Sequence, residues 1–495
     1  MKLLKLSLVA AAACLLTTSA NAEDTKPKRE LKNNMMVVTN VTPPTANSFT
    51  EAFSEGVFYG RLRTNSFVWD WKDNNNNLDN YAFGVGGSLA YTSAAYMGVT
   101  GHVGLYYSDS PFPALRMNAA DIGSVKAGKD TVSRYEVKNS GNYSMAVLAE
   151  ANLQYQLSKT KVIAGRQIFE SFLTKSNDTK MIPNTFEGFV LEMKEIPDTT
   201  IRGAYFTGQK LRDHTTFHDV ITFKDSAGDS WGNNDDSAVH KGLSYTNFNN
   251  AGADTQHQLI VIDARNTSIK GLQVDVTYGA VPDVLSSITG EVNYAIDLSN
   301  GYSLTPGIRY MHQMDNGGGA IGGAGLSGTI TAANATAMGY KTGDSLDGSL
   351  AMARLVLKKG PLKAQVAYSA VGDEADIVAP WRGFPTGGYT RAMAQYNWRA
   401  NTKTTAAEVN YDFDKAGLIP GFSALARVAL QDFDEAKQAG GVQADSNILH
   451  MDFRETITPE LYAKIRVGLV SAEDRLNGKD MDSYNEYRFE LNYLF

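Results

Sequence analysis

Residues 484–495 read YNEYRFELNYLF and alternate between apolar and polar side chains. Apolar side chains stand at the odd positions from Tyr487 to Phe495, and polar or charged side chains stand at the even positions from Glu486 to Asn492. Successive side chains of a β-strand point to opposite faces of its sheet. The segment therefore predicts a β-strand with one apolar face and one polar face.

The same alternation recurs along the chain in segments of about 10–13 residues. In residues 145–157 it places Val147, Ala149, Ala151, Leu153 and Tyr155 together on an apolar face. Strands of globular proteins are usually about 5–6 residues long, whereas a tilted strand that crosses a bilayer needs about 9–11. The length of these segments therefore favours strands that span a membrane.

Nineteen segments have strand character, and 387–399 is the weakest because it carries Arg391 and Arg399. A single-chain bacterial barrel has an even number of strands, so we assign 387–399 to a long loop, 371–403. The eighteen predicted strands are 56–68, 81–93, 98–108, 142–157, 159–168, 184–195, 199–210, 255–267, 271–281, 285–298, 301–313, 347–359, 361–370, 402–413, 421–433, 444–456, 459–471 and 483–495.

The connections between these segments alternate between short turns, such as Gly360, and long stretches, such as 109–141 and 211–254. Short periplasmic turns and long extracellular loops are typical of outer-membrane barrels. The predicted fold is thus an all-β, antiparallel transmembrane barrel of about 18 strands in the cell outer membrane. A barrel of this size encloses an aqueous lumen.

The ends of the chain complete this domain organisation. Residues 1–22 have Lys2 and Lys5, an apolar core and an Ala-Asn-Ala cleavage site, which predicts a signal peptide, and they contain the only cysteine, Cys14. Residues 23–55 form a short polar periplasmic segment, too short for a plug domain, and residues 56–495 form the barrel. We therefore expect a mature chain without disulfides.

Composition excludes other classes of protein. The chain has 495 residues, 43% of them hydrophobic, and a formal net charge of −7. An acidic chain without basic blocks argues against a nucleic-acid partner. The longest unbroken apolar run after residue 22 is 145–149, far too short for a transmembrane helix.

Several motifs, spread over most of the chain, occur in the order in which they occur in the OprD family of outer-membrane porins. They are SFTEAFSEGVFYGRLR at 48–63, AGRQIFESFLTKSNDTKMIPNTFEG at 164–188, YFTGQKLRDHT at 205–215 and NYDFDKAGLIPGFSALAR at 410–427. The chain therefore resembles this family, and it is similar to the related campylobacterial major porins. The resemblance implies an eighteen-stranded channel for small polar solutes, often carboxylates, with basic residues along the lumen and a third loop that narrows the pore.

Basic residues on the polar parity of the strands are candidates for the pore wall. They are Arg61, Arg63, Arg309, Arg354, Arg427, Arg454, Lys464, Arg466 and Arg488. They could form a row that passes anions, because rings of Arg and Lys select anions. Alternatively they are ordinary lumen charges that pair with acidic residues on the same face, such as Glu291, Glu408 and Asp452.

Loop 169–183 is the predicted constriction, since it corresponds to the third loop of the family that the chain resembles. We expect it to fold into the lumen and to bring Lys175, Asp178 and Lys180 opposite basic wall residues. Arg166 matches the strand end before this loop in the family, so it is the foremost candidate among the wall residues.

No motif predicts a cofactor or a metal site. Residues 317–322 match GxGxxG, but no helix with an apolar stripe follows them. The alternating oxygen ligands of 73–79 lack the glycine and the closing glutamate of an EF-hand. His214 and His218 have Thr215 where a metalloprotease motif has its glutamate.

These patterns predict an outer-membrane porin, a passive diffusion channel for small polar solutes and ions, rather than an enzyme. Two alternatives remain open: a structural or adhesive surface barrel without transport, and an outer-membrane barrel enzyme. The expected partners are outer-membrane lipids, small polar or anionic solutes and the barrel-assembly machinery. The last of these is expected because the aromatic C-terminal strand resembles the signal that this machinery reads. The sequence does not decide between a monomer and a homotrimer.

Overall fold

The computed structural model describes residues 29–32, 34–72, 77–176, 179–221, 240–379, 381, 383–393 and 397–495. The predicted signal peptide, residues 1–22, lies outside the described residues. Within the described part of the chain, eighteen antiparallel strands close into one barrel. The first nine strands are β1 (Val57–Trp71), β2 (Asn80–Thr92), β3 (Val99–Asp109), β4 (Ser144–Leu157), β5 (Thr160–Gln167), β6 (Thr185–Met193), β7 (Thr199–Lys210), β8 (Leu259–Asn266) and β9 (Leu272–Val281).

The tenth strand is interrupted at Ala295, and both of its pieces pair with the strand that follows. The remaining strands are β10 (Leu285–Tyr294, continued by Ile296–Asp297), β11 (Tyr302–Asp315), β12 (Gly348–Lys359), β13 (Leu362–Val371), β14 (Lys403–Asp412), β15 (Phe422–Asp432), β16 (Ser446–Thr458), β17 (Leu461–Ala472) and β18 (Tyr484–Leu494). The predicted fold class is confirmed, and segment 387–399 contains no strand among its described residues.

The last strand closes the barrel against the first. Asn492 of β18 stands opposite Arg63 of β1, and the pairing continues along both strands. Beyond the strand end, the amide of Phe495 donates to the Gly60 carbonyl at 3.1 Å, and the amide of Gly60 donates to the Phe495 carbonyl at 3.0 Å. No open strand edge is left between β18 and β1, which is what a barrel in lipid requires.

The two ends of the barrel differ in the length of their connections. At one end the strands are joined by short turns, such as Gly360 with its positive φ of 52°. At the other end, long connections span 110–143, 168–184, 211–258, 316–347 and 372–402, and the short link 282–284 is an exception. The first end is therefore the periplasmic end and the second the extracellular end, as expected for an outer-membrane barrel.

Alternation along the strands separates an apolar outer face from a polar lumen. Leu62, Phe189, Ile308 and Val366 are each more than half exposed on the outside. An outward apolar face of this kind is typical of barrels that lie in lipid. The chain is thus a multi-pass protein of the outer membrane.

A β-bulge in β4 corrects the predicted apolar face of 145–157. Gly104 pairs with Glu150 and Leu105 pairs with Leu148, so Ala149 is an extra residue in β4. An extra residue reverses the side-chain alternation beyond it. Leu148 consequently faces outward, while Val147 is buried inside the barrel in a cluster with residues of 168–184.

Helices are short and lie outside the strands. The α-helices are α1 (Phe49–Ser54), α2 (Arg134–Ser140), α3 (Tyr245–Asn250) and α4 (Gly318–Gly322), and the 3-10 helices are Pro113–Leu115, Ile122–Ser124, Lys129–Thr131, Ser299–Gly301, Thr336–Met338 and Glu435–Gly440. In the described parts of the chain, none of the helices is long and apolar enough to cross a bilayer. Before α1, Arg29–Leu31 and Val37–Thr39 pair as a small N-terminal hairpin.

The hydrophobic core lies where the long connections pack inside the extracellular half of the barrel. Trp69 of β1 and Tyr484 of β18 stack with ring centroids 3.7 Å apart. They belong to one buried cluster with Met117, Val125 and Val132 of the connection 110–143. The long connections are therefore folded against the inner wall, which determines how much of the lumen remains open.

Candidate functional site

Residues 168–184, here called the first inward loop, cross the interior of the barrel. The side-chain amide of Asn65 in β1 donates to the Lys180 carbonyl. Far around the wall, Ser171 Oγ donates to Asp263 Oδ1 in β8 at 2.6 Å. A loop between β5 and β6 can contact both β1 and β8 only by lying inside the lumen.

Apolar side chains hold the base of the first inward loop. Phe169 packs edge-on to Phe206 of β7 with ring centroids 5.3 Å apart, and Phe206 stacks on Phe186 at 4.7 Å. Met181 and Ile182 are fully buried at the other side of the loop. Burial of these side chains favours the inward conformation, because each would otherwise be exposed to water above the barrel.

Residues 372–402, here called the second inward loop, enter the lumen from the opposite side of the barrel. Backbone carbonyls of this loop accept hydrogen bonds from wall side chains of β11, β12 and β13. The bonds are Arg309 Nη1 to Gly387 O at 3.1 Å, Arg354 Nη1 to Gly388 O at 3.1 Å and Gln365 Nε2 to Tyr389 O at 3.1 Å. The sequence did not predict this inward path, although its weak strand segment 387–399 lies within it.

The two inward loops bound a cavity of about 780 Å³ inside the barrel. Its wall comes from β6 to β11, with Phe172 and Lys175 contributed by the first inward loop and Phe384 by the second. Five cationic and five anionic side chains line it. The lining is therefore strongly charged but balanced in sign.

Most cavity charges are paired, three of the pairs across neighbouring strands and one, Lys194–Glu192, between residues two positions apart. The pairs are Arg202–Asp263 at 2.5 Å, Arg265–Asp275 at 2.5 Å, Lys194–Glu192 at 2.6 Å and Arg309 Nε–Glu291 Oε2 at 2.5 Å. Strands tilted side by side bring opposite charges at facing positions together. Each of these four arginine and lysine side chains thus already has a carboxylate neighbour.

Lys175 differs from the other cavity cations. Among the described residues, its ammonium makes no ion pair or hydrogen bond, and Asn184 contacts only its backbone carbonyl. Burial lowers the pKa of Lys175, and nearby Arg309 lowers it further, while Glu170 opposes this effect. Because no described side chain binds it, the terminal nitrogen of Lys175 can donate to a solute that enters the cavity.

Lys180 lies at a different place in the first inward loop. Its ammonium sits 4.1 Å from the centre of the Phe67 ring, and the side chain is almost fully buried. Burial holds the pKa of Lys180 well below its usual range, and Arg488 lowers it further. The structure does not bring Lys180 to the cavity that contains Lys175. Asp178, the third charged residue of the predicted constriction, lies outside the described residues.

The predicted basic wall residues on β1, β11, β12 and β15–β18 lie on the lumen side and have acidic or carbonyl neighbours. Around β16 and β17, Arg454, Lys464 and Arg466 all approach Asp452, at 3.3, 3.5 and 3.2 Å. The other contacts are Arg63–Glu490 at 2.7 Å, Arg354–Glu291 at 3.3 Å, Arg427–Glu408, Arg488–Glu486 and Arg61 Nη1 to Met35 O at 2.5 Å. This arrangement matches the interpretation in which lumen charges are paired.

Arg166 lies elsewhere than expected. It stands opposite Ala151 and Glu187 in the sheet, and its Nε donates to Glu187 Oε2 at 3.1 Å. Glu187 shares its side of β6 with Phe189, which is 58% exposed on the outer face. Side chains alternate along a strand, so Glu187 and Phe189, two positions apart, share a face, and Arg166 shares that face because it stands directly opposite Glu187. Arg166 is thus a residue of the outer face, close to the ring of Phe217, and does not face the first inward loop.

The structure adds little to the residues weighed for metal binding. Residues 73–76 of the alternating run lie outside the described residues. His214 Nδ1 and His218 Nε2 are 2.7 Å apart, so the two rings contact each other directly. Among the residues that the structure describes, no cluster of three or more His, Cys, Asp or Glu side chains is arranged to hold a metal ion.

Comparison with known proteins identifies the family. The family model of the outer membrane porins of the OprD family matches residues 114–495. Comparison with curated protein sequences gives no match.

Solved structures share the barrel at low sequence identity. OccAB1 of Acinetobacter baumannii has a TM-score of 0.67 and 16% identity, over 92% of this chain and 99% of that chain. OccK8 (OprE) of Pseudomonas aeruginosa has a TM-score of 0.66 and 15% identity, over 90% and 99%. OpdK of Pseudomonas aeruginosa, solved with vanillate, has a TM-score of 0.64 and 12% identity, over 90% and 99%. These similarities support the fold of the chain.

Proposed function

The chain belongs to the OprD family of outer-membrane porins, and from this premise we propose that its channel favours small carboxylates, which bind Lys175 during passage. As a porin, the protein forms a channel for small solutes through the outer membrane. What the proposal adds is the solute class and the residue that recognises it. The observation that carries it is the ammonium of Lys175, which has no partner among the described residues of a cavity whose other cations are paired.

The charged groups around Lys175 favour the binding of a single anionic group beside it. Arg309 and Arg202 lie near enough to lower its pKa, so a carboxylate there would gain from three cations at once. Glu170 and Asp263 act in the opposite direction and limit the attraction. A solute that binds weakly can still leave, which diffusion through a channel requires. OpdK, whose barrel is similar, was solved with vanillate, which is a carboxylate.

The proposal is tested with Lys175→Gln in planar bilayers. We expect its reversal potential in a salt gradient to shift toward cations, and benzoate to interrupt the current less often than in the parent channel. Lys175→Arg should keep both properties. Lys138→Gln removes the same charge from an exposed position of α2 and should change neither. Parental selectivity and parental benzoate block in Lys175→Gln would refute the role of Lys175.

The channel role also separates the protein from the two alternatives left open by its sequence. A structural barrel would fold and insert without conducting, and a barrel enzyme would turn over lipid or peptide. Membership of a porin family favours a channel without enzymatic activity. We further propose that lipid covers the apolar outer face and that the barrel-assembly machinery binds the strand that ends near Phe495. Stable single-channel steps from purified protein would support transport, and a folded barrel without them would contradict it.

A further inference from the structure

The N-terminal hairpin has a defined shape of its own. Arg29–Leu31 and Val37–Thr39 pair in register, and the amide of Lys32 donates to the Met36 carbonyl at 2.9 Å across the turn. Met35 adopts a positive φ of 70° in this turn. A residue other than glycine in this conformation indicates a turn that its surroundings hold in place.

The surroundings of the turn are the inner wall of the barrel. Arg61 of β1 donates from Nη1 to the Met35 carbonyl at 2.5 Å. Arg61 stands opposite Leu494 of β18 on the lumen side, and their exposed fractions are 1% and 0%. Side chains on the wall of an open aqueous lumen would be wet. Their burial shows that chain segments cover this sector of the wall, and the hairpin is a described segment that contacts Arg61.

The hairpin lies at the periplasmic end of the lumen. Arg61 is close to the start of β1, which follows the periplasmic helix α1. On the far side of β18, the Glu30 carboxylate is near enough to Tyr462 of β17 to interact with it electrostatically. The hairpin thus extends along the mouth from β1 toward β17, on the periplasmic side of the first inward loop, which contacts β1 at Asn65.

The chain that follows the hairpin is fixed to the periplasmic rim. Thr45 forms a β-bridge with Ala95 in the turn between β2 and β3, and the Ala46 amide donates to the Ala95 carbonyl at 2.9 Å. The Ala94 amide donates to the Ala52 carbonyl of α1 at 2.9 Å. These bonds anchor the segment on the rim, so the hairpin is tethered at the mouth by a short link, residues 40–44.

We infer that the hairpin, in its described residues 29–32 and 34–39, forms a second narrowing of the pore, at its periplasmic mouth and in series with the two inward loops. Two resistances in series add, so a solute or ion that passes the central cavity meets the hairpin next. The inference concerns the conductance of the mouth and is independent of the role proposed for Lys175, which concerns selectivity in the cavity.

Cysteine chemistry tests the position of the hairpin without disturbing the barrel. Cys14 is the only cysteine of the chain and lies in the predicted signal peptide, so a single introduced thiol can be labelled selectively. Lys32→Cys places it on the exposed turn of the hairpin, and Thr50→Cys places a matched thiol on the exposed side of α1 at the rim. A bulky methanethiosulfonate reagent is added during single-channel recording.

We expect every labelled Lys32→Cys channel to lose conductance in one step, and to do so faster when the reagent is added on the periplasmic side. Labelled Thr50→Cys channels should conduct as before. Deletion of residues 29–39 should raise the single-channel conductance while leaving ion selectivity unchanged. Labelled Lys32→Cys channels with full conductance, or a deletion with parental conductance, would overturn the inference.

Discussion

The backbone of Gly383 lies directly against the carbonyl oxygen of Leu173, so closely that a Cβ on residue 383 would overlap that oxygen. Leu173 belongs to the first inward loop and Gly383 to the second. The contact therefore joins two segments that enter the lumen from different sides of the barrel. The contact leaves no room for a side chain on residue 383. A single substitution at this residue should therefore separate the two loops.

Gly383→Val should push the inward loops apart. A branched side chain cannot fit where a single Cβ already overlaps backbone, so one loop must move, at a cost of roughly 1–3 kcal/mol for overpacking. We expect higher or noisier single-channel conductance from a barrel that still folds and inserts, because the overpacking is confined to the two loops. Gly123→Val in the connection 110–143 is the control, because a Cβ there meets nothing within 4 Å. Identical conductance traces for the parent and Gly383→Val would show that the contact does not limit the pore.

Glu291→Gln should make the channel more selective for anions. Glu291 neutralises two wall cations, Arg309 and Arg354, and accepts a hydrogen bond from Asn293 at 2.9 Å. At about 4 Å one unit charge is worth about 1 kcal/mol even at the dielectric constant of water, which is about a fivefold change in local ion concentration. Reversal potentials at low salt measure this shift, since screening is weak there. Glu195→Gln on the exposed periplasmic turn should leave the reversal potential unchanged.

The strands were predictable from the sequence because alternation is a local property. All eighteen predicted strands overlap the observed ones, and the barrel that they predict is closed by pairing of the last strand with the first. The errors arise where an offset of one residue places side chains on the opposite face of a strand. The extra residue in β4 turned Val147 inward, and Arg166 lies with Phe189 on the outer face.

The candidate site was less accessible to sequence reasoning, because tertiary contacts set the path of its loops. Asn65 and Lys180 are separated by 115 positions, and Arg309 and Gly387 by 78. No pattern in either segment specifies such a partner. The resemblance to a family indicated the first inward loop, whereas the second was assigned only to a long loop. Lys175 is predictable as a charged residue of the constriction. That it lacks a partner is not, because this depends on which other charges pair between neighbouring strands.

Ile308→Arg should destabilise the barrel, whereas Gln273→Arg should not. Ile308 is 62% exposed on the outer face near the middle of β11, where an arginine in the hydrocarbon costs roughly 2–4 kcal/mol. Gln273 lines the cavity and donates to Asp275 at 2.6 Å, so an arginine there meets water and a carboxylate. Urea unfolding in lipid vesicles measures both. Equal destabilisation would mean that the outer face and the lumen face of these strands have been exchanged.

His240 should make the packing of the extracellular loops sensitive to acid. It lies fully buried between the connections 211–258 and 316–347, where Nε2–H donates to the Gly323 carbonyl at 2.9 Å and Nδ1 accepts the Gly242 amide at 3.1 Å. Both bonds require a neutral ring with its proton on Nε2, and burial lowers the pKa of His240 to about 4. An imidazolium would place a second N–H against the Gly242 amide.

The sign of the pH effect follows from the lowered pKa. Below about pH 6.5 the opened loop binds a proton that the packed loop does not, so the stability of the packing is complete above that pH and is lost as pH falls toward 4. At pH 5 the loss is about 2 kcal/mol, or roughly 30-fold in the opening equilibrium. Protease cleavage of the loop segment 240–258 should accordingly be much faster at pH 5 than at pH 7.5. His240→Gln should show a smaller ratio between the two rates, while His312→Gln, at an exposed position of β11, should keep the parental ratio. If the ratio of the cleavage rates at pH 5 and pH 7.5 were equal in His240→Gln and the parent, the acid sensitivity would come from other groups of these loops.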